Sequence, residues 1–241
     1  MTDSERPESM RLNRALASVC ARRKADELIF AGRVSVNGIT EKNPARRVGP
    51  EDVVALDGKT VPCQRKTVCL MLNKPAGVMS TSHDPEGRPT VLDYVPQSLR
   101  GMRLYPVGRL DYFSEGLLLL TNDGALAQKL AHPSGGHEKQ YEVLVRGQVA
   151  ETALKIMRKG MRLADGVRLA PMGASKREIG ENTLLTLVLR QGLNRQIRRV
   201  CQDLDLTILK LRRVAQGSLR LGDLAPGQTR LLTEKELAEL V

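Results

Sequence analysis

The sequence predicts an α+β protein in two parts, a small helical and hairpin unit followed by a larger unit built on a mixed sheet. Three observations carry this. Helix-period and strand-period segments alternate irregularly, and no Gly-rich phosphate loop of a doubly wound parallel sheet occurs. A polar, basic stretch, GKTVPCQRK, separates residues 11–58 from residues 68–241, so 59–67 is expected to be a linker and 1–10 a disordered lead-in.

In the first part, Leu12, Leu16 and Val19 recur at helical spacing, and a second helix is expected over 22–31, stopped by Gly32 as the residue past its end. Alternating valines at 34 and 36 run into Asn37-Gly38, a strong signal for a tight hairpin. Short strands at 52–56 and 59–61 would complete the unit. Its basic residues, Arg11, Arg14, Arg22, Arg23, Lys24 and Arg33, gather on the helical half.

The second part opens with an apolar strand at 68–72, a turn over Asn73-Lys74-Pro75-Ala76-Gly77 and a polar loop at 80–89 expected to be exposed. The run Leu117–Leu120 reads as a buried strand, and Asn122-Asp123-Gly124 as a turn. Helices are expected at 125–131, 151–159 and 195–204, and strands at 140–145 and 183–189. Asn194 is placed to cap the third of these helices. Ile197, Val200, Cys201 and Leu204 then form its apolar face, with Arg195, Arg198, Arg199 and Gln202 opposite. Thr233 and Glu236 form a capping box ahead of Leu237 and Leu240.

Composition narrows the function. A formal charge of +11 over 241 residues is long-range attraction for polyanions, and nucleic acid is the expected partner. No apolar run is long enough for a transmembrane helix, and the N-terminus lacks the apolar core of a signal peptide, so a cytoplasmic protein is expected. Cys20, Cys63, Cys69 and Cys201 make no CxxC pair and read as free thiols in a reducing compartment. His83, His132 and His137 have no metal-ligand spacing, so no metal is expected. Aromatic residues are 2% of the chain, too few for a sheet that reads bases by stacking.

The chemistry concentrates in residues 106–124, PVGRLDYFSEGLLLLTNDG, where Asp111 follows Arg109 and precedes the leucine run. This pattern, with NKPAG at 73–77, HEKQYEVLV at 137–145, QGLNRQIRR at 191–199 and the closing GSLRLGDLAPGQTRLLTEKEL, resembles the pseudouridine synthases of the ribosomal small-subunit pseudouridine synthase A family. RLNRALAS…RRKADELIFAGRVSVNG likewise resembles the S4 RNA-binding domain. Together the resemblances cover nearly all of residues 11–241. They imply an S4 unit followed by a catalytic domain with a mixed, mainly antiparallel central sheet flanked by helices. Phe113 stands where that family more often carries a polar residue.

The implied reaction breaks the N1–C1′ bond of uridine, turns the uracil and rejoins it through C5. It needs no redox step or phosphoryl transfer, so no cofactor is expected. It does need a nucleophile, and the resemblance assigns that role to Asp111, with Arg198 as its paired arginine. Tyr141 would stack on the uracil, with its hydroxyl near enough to help move the C5 proton. Arg109 would fill or hold the stack vacated when the base is extruded, a step costing a few kcal/mol. Arg195 and Arg199 would face phosphates, and Asn194, Gln196 and Lys74 join them as expected RNA contacts, as do the six basic residues of the first unit. The expected substrate is a specific uridine in a structured stem-loop of ribosomal RNA, free or in an assembly intermediate. Similarity to the large-subunit branch favours 23S RNA near the peptidyl-transferase region, with 16S RNA as the alternative target. A non-catalytic RNA chaperone or assembly factor is the rival from another class, and a glycosylase that fails to rejoin the base is a third. A monomer is expected.

Overall fold

The computed structural model describes residues 9–62, 67–131 and 137–240. Residues 1–8 of the expected 1–10 lead-in, residues 63–66 of the expected 59–67 linker, and His132 lie outside them, whereas Met10 and Lys59–Thr60, expected in those segments, belong to strands. The chain divides into two compact units, the first reaching to Thr67 and taking in Gly101–Arg103, the second comprising Val68–Arg100 and the chain from Leu104 onward.

In the first unit β1 (Met10–Arg11) leads into α1 (Leu12–Ala15), which tightens into a 3-10 turn at Leu16–Ser18, and α2 (Arg22–Phe30) follows. Gly32 takes φ 72° just past α2, a conformation that suits glycine. The hairpin of β2 (Val34–Val36) and β3 (Ile39–Thr40) turns through Asn37 and Gly38, both at positive φ as a type I′ turn requires. β4 (Arg47–Val48) pairs with β1, while β5 (Val54–Leu56) pairs with β2 and with β6 (Lys59–Thr60). Leu12, Leu16, Ile29, Val34, Val36 and Val54 form the core of this unit, each at most 1% exposed.

The second unit is built on one nine-stranded sheet. In chain order it contains β7 (Cys69–Lys74), β8 (Tyr105–Val107), β9 (Glu115–Thr121), α3 (Gly124–Ala131), β10 (Lys139–Val145) and α4 (Glu151–Lys159). There follow β11 (Gly173–Ile179), β12 (Asn182–Leu189), α5 (Gln196–Asp203), β13 (Ile208–Gln216), β14 (Leu219–Arg220), β15 (Thr229–Leu231) and α6 (Glu234–Leu240). The strand order is β11-β12-β10-β13-β9-β7-β15, with β14 beside β13 and β8 beside β9. Every pairing is antiparallel except β13 with β9, so the sheet is mixed and mainly antiparallel.

That parallel junction divides the sheet into two halves with separate cores. On one side Val143, Val145, Leu185 and Leu187 pack with Leu154 and Met157 of α4 and Ile197 and Val200 of α5. On the other, Leu117, Leu119 and Met71 pack with Leu130 of α3 and Leu240 of α6. Leu117 through Leu120 are all fully buried, because β9 is covered on both faces. Asp123 is the structural residue the turn reading expects: its Oδ1 accepts from the Ala125 and Leu126 amides at 2.8 and 3.3 Å and caps α3. The capping box of α6 is reciprocal, with Thr233 N donating to Glu236 Oε2 and Glu236 N to Thr233 Oγ1. Among the described residues no helix is long and apolar enough to cross a membrane.

Three expectations are corrected. Asn73 and Lys74 belong to the end of β7, not to a turn, and both are buried. The 80–89 loop is not simply exposed, since Ser80 is 9% and Asp84 7% exposed. Asn194 does not cap α5. The cap position is Arg195, in the left-handed region at φ 48°, with no side-chain capping bond.

Candidate active site

Asp111 sits in the short loop between β8 and β9, where the two halves of the sheet meet, and the backbone of that loop is pinned from three directions. Ser80 Oγ donates to the Leu110 carbonyl at 2.8 Å and accepts from the Leu110 amide at 3.2 Å, closing both polar groups of the residue before the aspartate. The Ser114 amide donates to the Asp111 carbonyl at 3.0 Å, folding residues 111–114 into a turn. The Gly77 amide donates to the Tyr112 carbonyl at 2.8 Å.

Beneath this turn lies Lys74, which is 0% exposed. Its ammonium donates to the carbonyls of Ser114 at 2.8 Å, Pro75 at 2.9 Å, and Asp111 and Tyr112 at 3.3 Å. Burial pulls its pKa down to about 8, while Glu115 and Asp111 act in the opposite direction. A buried cation with this many partners is fully committed to the loop, so the expected contact between Lys74 and RNA is corrected: Lys74 shapes the turn and does not reach the surface.

The aspartate meets its arginines across the parallel junction. Arg198 of α5 donates from Nε to Asp111 Oδ2 at 3.2 Å and from Nη2 to Ser114 Oγ at 3.1 Å. Arg195 Nη1 stands 3.7 Å from the same Oδ2. Both guanidiniums therefore converge on one carboxylate oxygen, and no protein hydrogen bond to Oδ1 is formed among the described residues. The left-handed backbone at Arg195 is unusual for a residue with a Cβ. It turns the chain sharply into α5, and the Arg195 side chain arrives at the carboxylate from outside the helix.

The carboxylate opens into a cavity of about 80 Å³ lined by Arg109, Asp111, Ser114, Tyr141, Arg195 and Arg198, with Leu189, Leu211 and Ile197 among its apolar walls. Tyr141 reaches it from β10, between Leu187 and Arg213 in the neighbouring strands. Of the residues singled out in the sequence, Asp111, Arg109, Tyr141, Arg195, Gln196 and Arg198 thus share one cavity. Gln196 is only 5% exposed, and its amide oxygen accepts from the Leu193 amide at 3.4 Å, so it holds the loop ahead of α5 while forming part of the cavity wall.

Arg199 points elsewhere. It pairs with Asp165 and is not among the residues lining this cavity, so a phosphate meeting it as expected would have to displace that carboxylate. Asn194 is exposed, and its carbonyl accepts from Arg199 Nη1 at 3.4 Å. In the first unit Arg11, Arg14, Arg22, Arg23, Lys24 and Arg33 are all exposed, as a nucleic-acid face requires. Lys24 already pairs with Glu27 at 2.8 Å, and Arg33 forks onto Asp57 through Nε and Nη2. Burial pushes the thiols of Cys69 and Cys201 up to about 12, so both stay protonated, although Arg198 draws that of Cys201 slightly the other way.

Several contributors are missing from the sequence reading. Ser80 carries no signal beyond being a small polar residue, Leu189 reads only as strand and Leu211 lies on a segment with no strand pattern, while Ser114 and Gln191 fall inside quoted motifs without a role of their own. Gly116 is the exception, because a glycine amid apolar strand residues marks a close approach. A Cβ there would stand 2.2 Å from the Arg213 carbonyl oxygen, so the parallel β9–β13 junction closes only with glycine.

Fold, sheet order and loop define an RNA-modifying enzyme of one class: the chain belongs to the RNA pseudouridylate synthase family, which it matches over residues 68–203, with an S4 domain over residues 10–54. It is an RNA pseudouridine synthase carrying an S4 RNA-binding domain. A protein of Aquifex aeolicus named uncharacterized RNA pseudouridine synthase is 40% identical over 235 residues, 96% of this chain and 93% of that one. The Bacillus subtilis protein named ribosomal large subunit pseudouridine synthase B is 37% identical over 232 residues, covering 94% and 92% of the two chains. A solved pseudouridylate synthase superposes over 97% of this chain and all of its own with a TM-score of 0.68 at 27% identity.

Proposed function

We propose that this enzyme isomerises a specific uridine in large-subunit ribosomal RNA, with Asp111 as the nucleophile. The observation that carries the catalytic part is the convergence of Arg198 and Arg195 on Asp111 Oδ2 at the mouth of a cavity that also holds Tyr141. The paired oxygen is fixed by charge-assisted bonds, and Oδ1 is left to attack. The carboxylate oxygen bonds to a carbon of the target nucleotide, C6 of the uracil or C1′ of the ribose, and the N1–C1′ bond breaks. The uracil turns within the cavity and C5 bonds to C1′. C5 loses its proton, N1 gains one, and the carboxylate is released, so no electrons are exchanged with a second reactant.

Tyr141 offers its ring to the uracil and its hydroxyl to the C5 proton. Arg109, at the cavity edge, takes up the stack vacated by the extruded base, and phosphate contacts offset the cost of extrusion. The large-subunit assignment is supported by the Bacillus subtilis relative's name and by coverage of nearly the whole of both chains. We place the target near the peptidyl-transferase region of 23S RNA and the protein in the cytoplasm as a monomer.

Purified protein is expected to release tritium from 23S transcripts carrying 5-tritiated uridine, while Asp111→Asn binds the RNA and releases none. Carbodiimide-block primer extension on ribosomal RNA from cells with and without the gene then locates the modified nucleotide. A site found only in 16S RNA would overturn the large-subunit assignment. A wild type that binds ribosomal RNA without releasing tritium would overturn the catalytic one in favour of an assembly factor. Free uracil among the products would identify a glycosylase.

A further inference from the structure

Beside the catalytic cavity the same unit holds a larger one, of about 930 Å³, within the size range of small-ligand sites. Its lining includes Lys159, Arg162 and Arg168 and contains no carboxylate. Among the described residues none of these three cations forms an ion pair, so each can meet an anion without displacing a carboxylate. Gln191 lines both cavities, so the larger one adjoins the space in front of Asp111.

The walls of this cavity are built rather than accidental. Gly160, at φ 78°, lies so close to residues 169–171 that a Cβ would stand 2.5 Å from the Leu169 carbonyl oxygen. Arg162 Nε donates to the Gly166 carbonyl at 3.1 Å, fixing its guanidinium against the turn. The Gln191 side chain accepts from the Ala170 amide at 3.0 Å. Residues 163–167 form a turn that is tied to α5 by the Arg199–Asp165 pair and by the Ala164 amide donating to Asp203 Oδ2 at 2.7 Å. One helix therefore presents Arg198 to the nucleophile and uses Arg199 and Asp203 to hold the wall of the neighbouring cavity.

We propose that this cavity is a second RNA site, which seats a nucleotide flanking the target and takes its phosphodiester on Arg162, Arg168 and Lys159. The proposal rests on the chain's action on RNA. A strand whose target uridine occupies the Asp111 cavity can continue past Gln191, the residue the two cavities share, and unpaired guanidiniums suit phosphate oxygens. An anchored flanking nucleotide also converts extrusion of the target into a local event. Through α5, the register of the strand is then set against Asp111.

The test compares wild type, an Arg162→Ala/Arg168→Ala variant and a charge-matched Arg146→Ala/Arg177→Ala variant, whose arginines, one just past β10 and one in β11, lie outside both cavities. With 23S transcripts, KM for the cavity variant is expected to rise about tenfold while kcat falls much less. The slope of log affinity against log salt should flatten by about 1.4–1.8, the share of two phosphate contacts. Equal effects in both variants, or none in the first, would overturn the site. Should the alanine variant fail to fold, Arg162→Gln/Arg168→Gln replaces it. Independently, Asp111→Asn protein bound to 4-thiouridine-substituted 23S transcript should cross-link within residues 159–171, and cross-links confined elsewhere would sink the proposal. If the wild type binds RNA, shows the cross-link and releases no tritium, the catalytic reading fails and the second site stands.

Discussion

Lys74 shows how one buried charge couples stability to activity. In an unfolded chain a lysine titrates near 10.4, whereas here burial holds the ammonium at about 8. Between those values the unfolded chain binds more protons than the folded one, so stability rises with pH through that window. The cost of burying the charge is fully present below it, at most about 3 kcal/mol. Activity should move the opposite way, because the neutral amine has one donor fewer for the carbonyls of Pro75, Asp111, Tyr112 and Ser114. Denaturant titrations at several pH values and single-turnover tritium release will show whether stability climbs as activity declines above about pH 8. Lys74→Met should flatten the stability trend and lower kcat more than it raises KM. Arg198→Lys tests the other charge at the site. A lysine is a point charge that cannot hold Asp111 and Ser114 in one fork, so kcat should fall about 100-fold with little change in RNA affinity.

At the scale of elements, the parallel β9–β13 junction sets the geometry of the site, and Gly116 is its tightest point. Gly116→Ala places a methyl against the Arg213 backbone at a φ of 103°, so it should cost about 3 kcal/mol or more. A urea denaturation midpoint within experimental error of the wild type would refute this. How far each element was legible follows from its environment. The leucine run of β9, the Asn37-Gly38 hairpin and the Thr233–Glu236 box were readable because burial and backbone geometry there demand particular residue types. β13 was missed because its sequence, ILKLRRVAQ, carries charge at the middle of the sheet. Arg213 is nevertheless only 3% exposed, with Nε donating to the Leu117 carbonyl at 2.7 Å. β11 was missed for the opposite reason: as an edge strand it is largely exposed and shows no alternation. At the site, motif residues Asp111, Tyr141 and Arg198 were visible in sequence. The roles of Lys74, Gln196 and Arg199 were not, because a cation or amide reads the same whether it faces RNA or the protein's own carbonyls and carboxylates.

For the whole molecule, a net charge of +11 makes RNA binding salt-dependent, but it does not say which cations act. The first unit supplies a ranking. Arg22 and Arg23 at the start of α2 are exposed and, among the described residues, form no ion pair. Lys24 and Arg33 must each give up a carboxylate partner to meet a phosphate. An exposed pair is itself worth only about 0–1 kcal/mol, so those two residues can still contribute, but less. Arg22→Ala/Arg23→Ala should therefore weaken binding of ribosomal RNA more than Lys24→Ala/Arg33→Ala, although each variant removes two positive charges. The first should also flatten the log affinity against log salt slope by about 1.4–1.8, and the second by less. Filter binding of a 23S transcript across a salt series measures both slopes. Identical losses in the two variants would mean that net charge alone governs capture of the RNA. A larger loss on the unpaired side would mean that the helical face of the S4 domain engages phosphates at defined positions and so fixes which stem-loop is presented to the catalytic domain.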